Sequence, residues 1–125
     1  MYAVESDSKK RLVVISAAGR VTAAEVEKAA NDVADLMKDF APGFRALADF
    51  SWLEKMEPAA ARHLARIMDS FAGAKVALVV RVMPDPHKDI GLNILSQFHY
   101  GPETGHVTVA TLAEAIERLT ADLSV

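Results

Sequence analysis

The run Val76-Ala77-Leu78-Val79-Val80 constrains this chain more than any other stretch. It is far shorter than the roughly 20 apolar residues that span a bilayer. It also lacks the in–out alternation of a strand with one wet face. A strand from Lys75 to Met83 with so continuous an apolar sequence is covered on both sides, the position of a central parallel strand. Parallel neighbours need long crossover connections, usually helices. The remaining sequence must therefore supply strands separated by amphipathic helices.

The pattern meets that demand. Tyr2 to Ser6 and Arg11 to Ala17, the second carrying the β-branched run Leu12-Val13-Val14-Ile15, predict a hairpin across the polar turn Asp7-Ser8-Lys9-Lys10. Gly19-Arg20 breaks the second strand. Thr22-Ala23-Ala24-Glu25 is a capping box, in which the threonine hydroxyl accepts from the Glu25 amide and the glutamate reaches back. Val26, Ala29, Ala30, Val33, Leu36, Met37 and Phe40 then recur at helical spacing until Pro42-Gly43. Phe44 to Phe50 reads as a buried strand and Ser51 to Glu57 as an acidic loop. Pro58 suits a first helical position. Ala60, Leu64, Ile67, Met68 and Phe71 form the next apolar stripe, and Gly73 is placed to end it.

After the Lys75–Met83 strand, Asp85 caps a helix with Pro86 in its first turn and Ile90, Ile94, Leu95 and Phe98 as its buried side. His106 to Ala110 is the last strand. Thr111-Leu112-Ala113-Glu114 is a second capping box, leading a helix with Leu112, Ala115, Ile116, Leu119 and Leu123 inward. The order is ββαβαβαβα. Alternating strands and helices imply an α/β fold with a mixed, mostly parallel five-stranded sheet, four helices and right-handed crossovers. No linker divides residues 1–125, which read as a single domain.

Composition narrows the function classes. Hydrophobic residues are 51% and charged residues 25%, as in globular chains. The 14 basic and 17 acidic side chains, net charge −3, read as evenly spread and give no general attraction to nucleic acid or anionic membrane. There is no cysteine, which excludes disulfides and thiolate metal sites and suits a cytoplasmic protein. The first residues show no basic segment followed by an apolar one, so no signal peptide is expected.

Leu12-Val13-Val14-Ile15, Ala46-Leu47-Ala48-Asp49-Phe50-Ser51, Pro58-Ala59-Ala60-Ala61 and Lys75-Val76-Ala77-Leu78-Val79-Val80, in this order of elements, resemble the STAS domain, the fold of the bacterial anti-sigma factor antagonist SpoIIAA. The resemblance is in particular to the small SpoIIAA-like (STAS/SEC14-domain) proteins. In the antagonists, a stretch similar to Asp49-Phe50-Ser51 precedes an Asp-Ser-Ser/Thr-Gly turn whose hydroxyl a partner kinase phosphorylates. A helix N-terminus, with unpaired N–H groups, holds a phosphate well. The matching turn here is Glu57-Pro58-Ala59-Ala60. The resemblance therefore implies an STAS-like module without the phosphorylation site, with Glu57 as a fixed negative charge or a helix-dipole partner.

Other chemistry is sparse. The histidines are His63, His87, His99 and His106, and no pair has helical ligand spacing. Asp85, His87 and Asp89 carry metal-binding atom types but straddle a helix start, where Asp serves as a cap, so no metal is expected. Ser51 with His87 and Asp49 has the residue types of a nucleophilic site, yet lacks the Gly-x-Ser-x-Gly elbow. The structural reading is that Asp49 and Ser51 satisfy backbone groups at a strand end. Arg62, His63 and Arg66 read as a solvated face. No phosphate-binding glycine motif is present, and no cofactor is expected. Trp52, the only tryptophan, is a lid over the core or an anchor for a partner.

The expectation is a non-enzymatic binding or regulatory module. Its partner is a protein or a second copy of the chain as a homodimer, with Asp49, Ser51, Trp52, Glu57, Asp85 and His87 as candidate contacts. Nucleic acid and stable membrane insertion are not expected. One alternative is a carrier of a small apolar ligand or lipid, which requires an enclosed apolar cavity. Another is a hydrolase-type enzyme, which requires Ser51 and His87 within hydrogen-bond reach.

Overall fold

A computed structural model of the chain describes residues 1–121. The strands are β1 (Tyr2–Asp7), β2 (Leu12–Val21), β3 (Arg45–Met56), β4 (Leu78–Val82) and β5 (Gly105–Val109). The helices are α1 (Ala23–Leu36), α2 (Ala61–Gly73), α3 (Pro86–His99) and α4 (Leu112–Thr120), with 3₁₀ turns at Met37–Asp39 and Pro58–Ala60. The five strands lie side by side in chain order. β1 runs antiparallel to β2, and every other pair is parallel.

That order has a consequence for layering. Crossovers that step in one direction with one hand put α1, α2 and α3 on the same face of the sheet. One core cluster joins Val26 and Val33 of α1, Leu64, Ile67 and Phe71 of α2, and Leu92 of α3 to Val13, Ile15, Phe50 and Val79. Among the described residues, the opposite face carries only α4, whose Ala115 and Leu119 meet Leu47, Val80, Val82 and Val109. β4 is thus covered on both sides, which is why its sequence shows so little alternation. Tertiary packing here rests on apolar burial at about 25 cal/mol per Å².

The capping box of α1 forms as its sequence demands. Glu25 N–H donates to Thr22 Oγ1 at 3.2 Å, and Thr22 N–H donates to Glu25 Oε1 at 3.1 Å. At α4, Thr111 Oγ1 accepts from Glu114 N–H at 3.2 Å. α1 itself ends at Leu36, and the 3₁₀ turn carries the chain towards Pro42-Gly43.

Four expectations need correction. Gly19-Arg20 does not end β2, which runs on to Val21. Gly19, at φ +64°, sits at a register shift against β3, so it serves a bulge rather than a break. The supposed loop from Ser51 belongs to β3 as far as Met56. Gly73 does end α2 as expected, but the left-handed residue of the cap beyond it is Lys75 at φ +65°. Lys75 N–H donates to Ala72 O and Val76 N–H to Phe71 O, the paired bonds of a Schellman motif with lysine where glycine is usual. On α3, Leu92 and Ser96 face inward, while Ile90, Ile94 and Phe98 face out. On α4, Leu112 and Ile116 face out. Leu123 lies outside the described residues.

Lys75→Gly removes the left-handed penalty on a side-chain-bearing residue and should raise stability by about 1 kcal/mol in urea unfolding. Glu25 supplies a second test. The hydrogen bond from the Thr22 amide, the largest cause, holds its carboxyl below the ordinary value of 4.5. A depressed carboxylate adds stability above its unfolded pKa and loses it as pH falls through the folded one. The wild type should therefore exceed Glu25→Gln by about half a kcal/mol at pH 7, and the gap should close below pH ~4.

Candidate functional site

In open parallel sheets, sites gather where the strands end at their carboxyl edge. Here that edge is uneven. β3 pairs with β4 only from Arg45 to Asp49, where Asp49 meets Val82, while its further residues pair with β2 alone. The segment from Phe50 to Met56 therefore projects past β4 with one edge free. α3 partly covers that edge, because Lys88 Nζ donates to the Leu53 carbonyl at 2.9 Å.

The sequence-derived candidates distribute around this projection. Asp49 Oδ1 accepts from Ser51 Oγ at 2.5 Å and from Ser51 N–H at 3.1 Å. The pair thus closes on itself, at the register shift between Ser16 and Ala18 of β2. No hydrogen bond links Ser51 to His87 among the described residues. His87 is exposed in the first turn of α3, and its N–H donates to Asp85 Oδ1 at 2.9 Å, so Asp85 is the helix cap. Among the described residues, no three His, Cys, Asp or Glu side chains are grouped to hold a metal ion.

Glu57 acts away from its own helix. Its Oε1 accepts from Ala23 N–H at 3.2 Å, in the first turn of α1. It makes no cap bond to the 3₁₀ turn that follows it. The carboxylate does complement a helix dipole, but that of α1 rather than of the segment it precedes. Trp52 is no lid: it stands opposite Ala18 and is 78% exposed.

A buried polar group at α3 escaped the sequence reading. Arg81 lies in β4, directly after the apolar run, and is only 6% exposed. Its Nε donates to Asp89 Oδ1 at 2.6 Å, and its Nη1 donates to Ser96 Oγ at 3.1 Å. Ser96 Oγ in turn donates to the Leu92 carbonyl at 2.9 Å. Asp89 is thereby committed to an ion pair rather than to a metal. The signal was present, since Arg81 shares its strand face with buried Val79 and Met83. Beside it, burial pushes the Tyr100 hydroxyl well above its ordinary pKa, and burial followed by the neighbouring Tyr100 does the same to Tyr2. Tyr2, Phe50, Leu64, Met68, Arg81 and Tyr100 border a cavity of about 30 Å³. That is room for a water molecule or two.

His63 also departs from expectation. It is 5% exposed between α1 and α2, with Nε2 3.3 Å from Glu27 Oε2 but without a directed hydrogen bond. Arg62 and Arg66 are exposed as expected, and the Arg66 guanidinium donates to Asn31 Oδ1 at 2.7 Å. No described helix is long and apolar enough to cross a membrane.

A five-stranded mixed sheet with three helices on one face and one on the other is the SpoIIAA-like, STAS-type fold. Solved structures bear this out. The chain is similar to the anti-sigma factor antagonist SpoIIAA in its unphosphorylated form, at 20% identity over 95% of this chain and 97% of that one, with a TM-score of 0.65. It is similar also to a DUF3478-family protein with a SpoIIAA-like fold from Shewanella loihica PV-4, at 14% identity, 95% and 92% coverage and a TM-score of 0.69. An anti-sigma factor antagonist from Mycobacterium paratuberculosis gives 17%, 95% and 92%, and 0.60. No family model matches the sequence, and no curated protein does.

Arg81→Met leaves the Asp89 carboxylate half-enclosed without its partner and should cost about 3 kcal/mol. The double variant Arg81→Met, Asp89→Asn should recover more than half of that. A double-mutant cycle in urea reads the coupling directly.

Proposed function

We propose that this chain is a non-enzymatic binding module that docks a protein partner, with a second copy of the chain as the simplest one, through apolar side chains it leaves in water. The carrying observation is the exposure of several large apolar groups. Trp52 is 78% and Phe98 80% exposed, and Ile90 and Ile94 on the same helix as Phe98 are each at least half exposed. Large rigid aromatics of this kind dominate binding energy at protein interfaces. The similarity to anti-sigma factor antagonists supports the same class.

The alternatives draw less support. A carrier of an apolar ligand needs an interior of about 300 Å³ or more, ten times the cavity beneath α3. A hydrolase needs a free nucleophile, whereas the Ser51 hydroxyl is spent on Asp49. Phosphorylation forms no part of this reading, because Glu57-Pro58-Ala59-Ala60 offers no hydroxyl where the antagonists carry theirs. The module is proposed to act as one domain in the cytoplasm.

Native mass spectrometry with sedimentation equilibrium tests the reading. The wild type should form a reversible dimer free of retained small molecules. Trp52→Ala or Phe98→Ala should weaken it by about 2 kcal/mol, roughly thirtyfold, with the melting temperature little changed because both positions are exposed. A strict monomer carrying a bound lipid would sink the proposal.

A further inference from the structure

β2 is covered on one face only, although its sequence is that of a strand covered on both. Its run Leu12-Val13-Val14-Ile15-Ser16-Ala17-Ala18 shows as little alternation as β4. Val13, Ile15 and Ala17 are buried in the three-helix core. Leu12, Val14, Ser16 and Ala18 point to the other face and are only half-buried. On that face α4 packs chiefly on β3, β4 and β5, so among the described residues no helix lies over β2 there. The uncovered strip is a trough. α4 runs back along the sheet from the end of β5 to Leu119, whose carbonyl accepts from Arg45 at the start of β3. With Ala115 and Leu119 turned to the sheet, Leu112 and Ile116 lie about 60° and 100° round the helix from Ala115, on the flank towards β2. Both are half-exposed. Trp52, beside Ala18, stands at the head of the strip, and Glu5 and Asp7 on β1, beside Val14 and Leu12, give it a charged rim. Towards the start of β2 the strip deepens into a cleft of about 650 Å³, lined in part by Leu12, Leu119 and Thr120.

A matching ridge stands on the other face of the sheet. Ile90, Ile94 and Phe98 recur every four residues along the outside of α3, and all three are exposed. From Ile90 to Phe98 the helix has no charged residue, and neither has β2 from Leu12 to Ala18. Interface cores are depleted of charge in this way, with charge kept to the rim. α3 has 14 residues. A helix of that length is about 21 Å long and about 10 Å across. Seating one side of it in the trough buries roughly 900 Å² over both partners, Trp52 included, the size of a weak, reversible contact.

We infer that a second copy of this chain docks head to tail, the α3 ridge of one copy lying in the β2–α4 trough of the next. The inference rests on the protein-docking reading and specifies its geometry. Ridge and trough each lack a cover, and one contact of this kind covers both. A two-fold pairing of either surface with itself leaves the other in water. Because ridge and trough lie on opposite faces of the sheet, two copies cannot make the contact twice. A dimer therefore keeps one ridge and one trough free, and it is the first step of an open-ended association.

Sedimentation equilibrium and native mass spectrometry of the full chain test this with variants at exposed positions, Phe98→Asp on the ridge and Trp52→Asp or Ile116→Asp at the trough. The wild type should pass from dimer to larger species as concentration rises. Each variant alone should associate more weakly by roughly thirtyfold or more, with its melting temperature little changed. An equimolar mixture of Phe98→Asp with either trough variant should form a 1:1 heterodimer within about threefold of the wild-type affinity. The first variant keeps its trough and the second its ridge, so that heterodimer should not grow. Wild-type dimers beside mixtures that stay monomeric overturn the head-to-tail arrangement and leave the docking reading standing. Undiminished dimerisation of Ile116→Asp or of Phe98→Asp alone overturns the arrangement too. A wild type that stays monomeric at millimolar concentration overturns both the arrangement and self-docking.

Discussion

β3 is hydrogen-bonded along both edges from Arg45 to Asp49 and along one edge only from there to Met56. Most of what distinguishes the molecule follows from that asymmetry. The doubly paired half fixes the sheet and carries Leu47 into one core and Ala46 into the other. The singly paired half leaves a free strand edge beyond the sheet, and free edges invite pairing with other chains. Lys88 answers part of it by donating to Leu53. Bulges against β2 bend the rest, which is where Asp49 and Ser51 close their turn and Trp52 is turned outward.

α3 is held to this frame by an unusual balance. Its inward stripe is thin, with Leu92 and Ser96 as its buried residues. Arg81 makes up for that by reaching from β4 to Asp89 and Ser96. A buried ion pair of this kind adds little net stability over an apolar pair, yet breaking it is costly, so it specifies one placement of the helix. The outward face, Ile90, Ile94 and Phe98, is left free for something other than the core.

Local signals told the truth about local structure. Thr22 with Glu25, Thr111 with Glu114, and Asp85 before Pro86 cap their helices where the spacing put them, because a cap depends on residues three or four apart. The continuous run before Met83 marked a strand covered on both faces for an equally direct reason, since its composition has no other use in a short buried segment. The order of elements therefore determined the α/β class, and the resemblance carried it to the SpoIIAA-like fold.

Which face of each helix is buried, and what fills each edge, were decided elsewhere. Periodicity finds an apolar stripe but not its partner, so Ile90 and Phe98 looked interior until Arg81 claimed the opposite side of α3. Glu57 looked like the cap of the segment after it, but the crossover brings α1 within its reach from 34 residues away. Sequence fixes what is decided within a few residues, because backbone hydrogen bonds and side-chain spacing act at that range. Contacts between distant segments depend on how the sheet stacks its strands, and only the tertiary structure sets that.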